Sequence, residues 1–306
     1  MRLQPTFILF TIAFALGLTG CDEIENPIVE NTTAYNESLY GPPPSFPSLS
    51  QSQSIQRVVV EDFTAHQCGN CPEAANIAEE IAEEIGEAIS VVAIHAGNLA
   101  NTDDDHFDTD WTSVEGDLFW NQLDFQANPL GRINRVGGAG NYWAPNQWIS
   151  EVNEQIAELP SLGLQVAHDW IPGSSHLNVH VHGTFFEEIT GPIQVALLIL
   201  ESDIYDYQLD YSSDPELIPD YEFDHVLRAS VHGALGLGFG DLSSGAAAGD
   251  IATHSVTYTW DNDWGRFRVA AEYTHVRQYD VSDIPGLGNG LSETGRFDAA
   301  GTSGQA

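Results

Sequence analysis

Apolar positions follow two different periods along this chain, and the change falls near residue 160. Upstream, short apolar runs alternate with helical spacing. Residues 58–63 form a run of the length and composition of a strand buried on both faces. Ala74, Ile77, Ala78, Ile81, Ile85 and Ile89 then recur every three or four residues, with Glu79, Glu80, Glu83, Glu84 and Glu87 on the opposite face. Residues 91–95 predict a second strand, and 113–125 a second helix with Leu118, Phe119 and Leu123 inward. A further strand is expected within 128–136. A closing helix over 145–159 places Trp148, Val152, Ile156 and Leu159 on one side. The order predicts an α/β domain over residues 57–160, interrupted by a polar, Asp-rich insertion at 97–112.

Downstream the period becomes two. Residues 164–167, 177–182 and 255–260 alternate apolar with polar, 193–201 are continuously apolar, and 266–273 continue the series. No long helical pattern intervenes. This predicts an all-β sandwich, immunoglobulin-like in its two packed sheets, over residues 161–282. Residues 283–306 are rich in Gly and Ser and read as a flexible tail.

The first twenty residues have a different character. Arg2 precedes an apolar stretch at 7–18 that is too short to span a bilayer, the pattern of a signal peptide. It ends in Leu18-Thr19-Gly20-Cys21, which resembles the bacterial lipobox. The resemblance implies that Cys21 is lipidated and anchors the mature chain to a membrane, since several acyl chains on one residue hold firmly. Asp22-Glu23-Ile24-Glu25 resemble the surface-export signals of some Gram-negative lipoproteins, and the expected location is the outer membrane, on its periplasmic or cell-surface face. Residues 21–56, with Gly41-Pro42-Pro43-Pro44 and the Ser-rich 48–54, read as a disordered tether.

Charge narrows the partners. The chain has no lysine, and its nine basic residues, all arginine, face 45 acids. Loss of residues 1–20 removes Arg2 and no acid, so the mature charge is −37, one below the −36 of the whole chain. Such a protein repels nucleic acid. The acids are scattered through helices and loops, as in proteins of a salty habitat, where repulsion is screened within about 3 Å at 1 M salt. Asp103-Asp104-Asp105 and Asp108-Thr109-Asp110 leave calcium binding as an alternative, without a complete loop motif.

The chemistry centres on Cys68-Gly69-Asn70-Cys71-Pro72, placed between the first strand and the first helix. Two cysteines so spaced can exchange disulfides, form a static bridge or supply half of a metal site. Pro72 suits a first helical turn. The helix N-terminus favours a thiolate at Cys68, which is expected to be accessible while Cys71 is buried. The order of strand, acid, aromatic, Cys-x-x-Cys and helix resembles thioredoxin-like proteins. In them a carboxylate six residues before the first cysteine moves the proton of the second, a role that falls on Asp62. A cis-proline before a late strand faces the cysteines, and Pro129 is the residue so placed.

The larger pattern resembles the outer-membrane-protein-28-related lipoprotein family, which joins a lipoprotein signal, a thioredoxin-like domain and a β-sandwich. Thr64, Cys68, Asn70, Cys71 and Pro72 match its first motif. Pro129 with Asn134-Arg135 matches its Pro…Asn-Arg strand, and Tyr221, His225, Val226, Leu227 and Arg228 match its Tyr-x-x-x-His-Val-Leu-Arg segment. This resemblance bears on architecture more than on function; the thioredoxin-like Cys-x-x-Cys centre makes thiol–disulfide exchange on exported proteins, through Cys68, Cys71, Asp62 and Pro129 and with no cofactor, the expected activity. The alternatives are a non-enzymatic surface-binding or adhesion lipoprotein with a structural disulfide, and copper delivery through the cysteines and a histidine. His176, His180 and His182 read as an exposed strand face rather than a metal cluster. His66 reads either as an exposed turn residue or as a stabiliser of the thiolate. Arg135 and Arg228 are expected to pair with carboxylates in the core or between domains, with binding of an anionic ligand as the alternative.

Overall fold

The computed structural model describes residues 32–259 except 104, 123–126, 137–139, 172–173, 233–235, 241 and 243, together with two later strands, Arg266–His275 and Thr294–Ala299. The signal segment and Cys21 lie outside the described residues. The fold is mostly β-sheet with few helices. β1 (Thr32–Ala34) and a single helical turn, α1 (Glu37–Tyr40), precede β2 (Val58–Thr64). α2 (Cys71–Ile85), β3 (Ile89–His95), α3 (Val114–Gln122), β4 (Leu130–Ile133) and α4 (Trp148–Ile156) follow. From there the described chain is strand and loop. The strands are β5 (Leu162–Trp170), β6 (His176–Phe185), β7 (Ile189–Thr190), β8 (Ile193–Ser202), β9 (Ile204–Leu209) and β10 (Leu217–Phe223). β11 (Val226–Ser230), β12 (Leu237–Gly238), β13 (Gly245–Ala246), β14 (Ile251–Thr259), β15 (Arg266–His275) and β16 (Thr294–Ala299) complete the order.

β2 is buried along its whole length, and its alternate residues serve two cores. Val58 and Val60 pack with Ala74, Ala78 and Ile81 of α2 and with Trp148 and Val152 of α4. Val59 and Phe63 point the other way, toward Phe119 of α3 and Leu198, Leu200 and Leu227. The apolar run of β8 has the same explanation. Its residues Ala196, Leu198 and Leu200 join this second core, while Ile193, Val195, Leu197 and Ile199 join a third, lined by β5, β6 and β14. A run without alternation is what a strand covered on both faces requires.

That double role corrects the division at residue 160. The strands of both halves form one sheet, in the order β16-β15-β8-β11-β3-β2-β4, with β12 also on β8. β11 lies parallel to β3, Val226 opposite Ala93. The β-rich half therefore extends the sheet of the first half and covers it with a second layer, β1-β14-β6-β5.

Three smaller expectations are also corrected. Part of the tether is ordered: β1 pairs with β14, Thr33 opposite Thr257. The tail contributes β16, paired with β15 from Val269↔Ala299 to Thr274↔Thr294. α4 stops at Ile156, and Leu159 is 70% exposed.

Candidate redox site

β2 delivers the chain into a tight loop. The Cys68 N–H donates to Ala65 O at 3.1 Å, and the Cys71 N–H to Cys68 O at 3.1 Å. Asn70 stands just before α2 without a side-chain hydrogen bond to its first turn, and Pro72 sits in that turn, where a missing N–H costs nothing. Cys68 and Cys71 are joined in a disulfide with Cα atoms 5.4 Å apart. The first turn of α2 aims its free N–H groups and positive dipole end at this pair.

Beneath it lies Asp62, 2% exposed, with no hydrogen-bond partner for Oδ1. Burial pushes its carboxyl up to about 7. The carboxyl faces a cavity of about 160 Å³ that is also lined by Cys71, His95, Glu79, Tyr221 and His225. His95, opposite Thr64 on β3, is buried with neither ring nitrogen hydrogen-bonded. Desolvation, then the nearby His66 and Arg228, lower its pKa to about 3. Burial, followed by the Asp62 charge, raises the Tyr221 phenol to about 12. At the rim, His225 Nε2 stands 3.7 Å from Glu79 Oε2. Cys71 thus shares a small cavity with a carboxyl that titrates near pH 7 and an imidazole that is neutral there.

The Asn128–Pro129 peptide is cis. The register Phe63↔Leu130 sets Pro129 beside the end of β2. The Asn128 side-chain amide donates to Thr64 O at 2.9 Å, fixing this approach to the loop.

The expected solvent exposure of Cys68 is not found. Cys68 is 3% and Cys71 2% exposed. The β9–β10 hairpin covers them. Leu209 N–H donates to His66 O at 2.9 Å and Tyr211 N–H to Gly69 O at 2.8 Å, while the Gln208 amide donates to Cys68 O at 3.1 Å. His66 is likewise buried. Its Nε2 is 2.9 Å from Asn101 O, and its ring packs against Phe107.

Asn134 and Arg135 prove to be structural. Both adopt left-handed φ, 49° and 51°. Asn134 exchanges two hydrogen bonds with Val59, through its own N–H and its Oδ1. Arg135 forms a buried ion pair with Glu61, Nε–Oε1 2.8 Å, and lies 4.4 Å over the Phe119 ring. Arg228 pairs with Glu201 at 3.4 Å and stacks on Trp111. The histidine row is covered, not exposed. Tyr35 packs edge-on to His180 and Phe46 stacks on His182. His176 and His180 each reach a hydroxyl of β14, Thr259 and Ser255, at 2.9 Å. In the Asp-rich insertion, the Asp103 carboxylate accepts the N–H groups of Asp105, His106 and Phe107, which hold its pKa down. Among the described residues no group of three or more His, Cys, Asp or Glu is placed to hold a metal.

Gln208, Tyr211 and His95 carry no sequence signal of a site. Gln208 lies 140 residues from Cys68, and no local spacing signals that contact.

No protein-family model and no curated protein sequence matches the chain. Among solved structures it is similar to HBP35 of Porphyromonas gingivalis, with 15% identity and a TM-score of 0.57, over 79% of this chain and 74% of that one. A protein from Agrobacterium tumefaciens aligns at 10% identity with a TM-score of 0.45, over 83% of this chain and 99% of that one. The first likeness is one of fold.

Proposed function

We propose that the chain is a membrane-anchored thiol–disulfide exchange protein of the outer-membrane-protein-28-related lipoprotein type. A thioredoxin-like unit has its sheet extended and covered by the later β-strands, and lipidated Cys21 holds the mature protein at the outer membrane. The observation that carries the reading is the Cys68–Cys71 disulfide at the N-terminus of α2, above a buried carboxyl that has no partner for Oδ1.

The reduced protein works in two steps. The Cys68 thiolate attacks one sulfur of a substrate disulfide and expels the other as a thiolate, leaving a mixed disulfide. Cys71 then gives its proton to Asp62 and attacks the Cys68 sulfur. The second substrate thiolate leaves and the Cys68–Cys71 bond re-forms. The reverse sequence oxidises a substrate dithiol. Pro129 borders the loop on the side where the substrate chain lies.

Equilibration against glutathione measures the potential. Exchange predicts a value between about −270 and −120 mV, the span of known disulfide oxidoreductases. The Cys71→Ala variant should then accumulate mixed disulfides with exported proteins, since the attacking thiol has lost its resolver. The burial of both cysteines favours a second reading, a binding lipoprotein with a structural disulfide. A potential below about −300 mV, with nothing trapped, would establish it instead.

A further inference from the structure

Tyr221 and His225 open and close one short stretch of the Tyr-x-x-x-His-Val-Leu-Arg segment, and neither has a task in the exchange steps above. Both line the cavity that holds Cys71 and Asp62. The sheet explains how His225 reaches it. Asp62 of β2 stands opposite Ala93 of β3, and Ala93 opposite Val226 of β11. His225 precedes Val226, and on an extended strand its side chain would point to the other face. Its left-handed backbone, φ 59°, breaks that alternation. The backbone is held on both sides: His225 O accepts the Ala93 N–H at 2.9 Å, and the His225 N–H donates to Ser202 Oγ at 3.0 Å. The ring therefore lies on the α2 side, with Nε2 3.7 Å from Glu79 Oε2.

The short side chain of Ala93 leaves open the space between Asp62 and His225, two strand spacings or about 10 Å apart. The cavity there, about 160 Å³, has room for a few waters in line. One end is closed, because Asp62 is 2% exposed. The other reaches solvent, since the His225 side chain is 18% and Glu79 59% exposed. A buried acid needs such an exit. Each closure of the disulfide leaves the Cys71 proton on Asp62, and the site is reset only when that proton has gone. The other ionisable groups around the cavity are unsuited to carry it. The His95 imidazole, held at about 3 by burial, does not keep an arriving proton, and the Tyr221 phenol, at about 12, does not release its own. Glu222 accepts from the Tyr205 hydroxyl and Asp224 from the Asp203 N–H, both at the hairpin. An imidazole takes and gives a proton near neutral pH, and His225 is the one that stands at the rim.

We propose that His225, oriented by Glu79, is the proton outlet of the redox site. The proton that Asp62 takes from Cys71 crosses the cavity through water to the His225 ring, and leaves by way of the Glu79 carboxylate and solvent. The reverse path returns a proton to Cys71 when the disulfide is reduced. His225 is thus a positioning residue that acts through Asp62 and touches no sulfur. This deepens the exchange reading and rests on it for the steps that move the proton.

The test follows one closure. The mixed disulfide of Cys68 with glutathione is accumulated on the reduced full chain at about pH 5, where Asp62 keeps its proton, and then brought to about pH 8 in dilute buffer. Acid quench and mass measurement give the rate at which glutathione is expelled. In His225→Asn, a residue that tolerates the left-handed backbone, closure should run about tenfold slower than in the parent. Added imidazole should restore the variant and leave the parent unchanged, because a mobile base replaces the missing one. An unchanged rate overturns the proposal, and so does a slow variant that ignores imidazole, since a distorted site would not answer to a base. If His225→Asn does not fold, Glu79→Gln, at an exposed helix position, carries the same expectation at about twofold, and equal rates overturn it in the same way. The two readings separate cleanly. A potential below about −300 mV removes the exchange function, while an imidazole-dependent closure in the variant keeps the outlet.

Discussion

Glu61 and Asp62 are neighbours on one buried strand, each 2% exposed, and they meet opposite environments. On the α3 face, Glu61 is held by the Arg135 guanidinium, itself 1% exposed and stacked on Phe119. On the α2 face, Asp62 looks into a cavity shared with Cys71 and His95, and its Oδ1 has no partner. A buried charge that is paired serves architecture. A buried carboxyl without a counter-charge resists ionisation, and its pKa moves up to physiological pH, where its ionised form can take a proton from a neighbour. Burial alone does not mark a functional acid; the absence of a compensating cation does.

The largest effect is expected from separating the paired side. Arg135→Ala leaves Glu61 buried without its counter-charge and should cost about 3–5 kcal/mol in denaturant unfolding. A loss under about 1 kcal/mol would show that Glu61 is relieved some other way.

On the other side the sign reverses. The Asp62 carboxyl, at about 7 in the folded chain against an ordinary 3.8, keeps its proton where the unfolded chain has lost it. Its contribution is fully present below about pH 4 and is lost as pH rises through 7. Asp62→Asn should therefore stabilise the protein at pH 8, by up to about 4 kcal/mol at 1.36 kcal/mol per pH unit, while slowing any disulfide exchange. His95, depressed from 6.5 to about 3, acts oppositely. Its contribution is present above about pH 6.5 and lost as pH falls toward 3. Between about pH 4 and 6.5 the two slopes oppose each other. In that window the Asp62→Asn variant should gain stability with rising pH relative to the parent, and His95→Gln should lose it. Parallel unfolding curves for the three proteins would show that neither group titrates differently on folding.

Salt gives the smallest distinction. Screening of the scattered acids should raise the melting temperature by about 5 °C or more between 0.1 and 1 M salt. The shift should be the same in Arg135→Ala, because the Glu61–Arg135 pair is closed to ions. A parent whose melting point ignores salt would mean that its acids are already compensated.

The sequence made the local part of the site legible. Asp62, Cys68, Cys71 and Pro72 are tied by short spacings within one strand, turn and helix. The apolar run of β2 and the three-and-four spacing of α2 have physical causes that act within a few residues. What was not legible depends on long-range pairing. Period two tells which face of a strand is apolar but not which edge it joins, so nothing in the Val226–Ser230 stretch announces that β11 lies against β3. The ion partner of Arg135 is 74 residues away. Thr32–Ala34 is too short to carry a period, yet it adds a strand, and the nearby Tyr35 and Phe46 cover the histidines of β6. The hairpin above Cys68 was missed for the same reason, and with it the burial of the cysteine expected to face solvent.

The parallel placement of β11 on β3 has a consequence for any attempt to dissect the molecule. A chain ending near residue 160, where the periodicity changes, would keep β2, β3 and β4 but lack the strand that closes β3. One side of β3 would then present a row of unsatisfied N–H and C=O groups, beginning with the Ala93 N–H that His225 O now accepts. Beside it Val92 and Ile94 would lie bare of Leu198, Leu200 and Leu227. An open apolar edge of this kind is a template for another copy of itself, so the isolated half should aggregate through it.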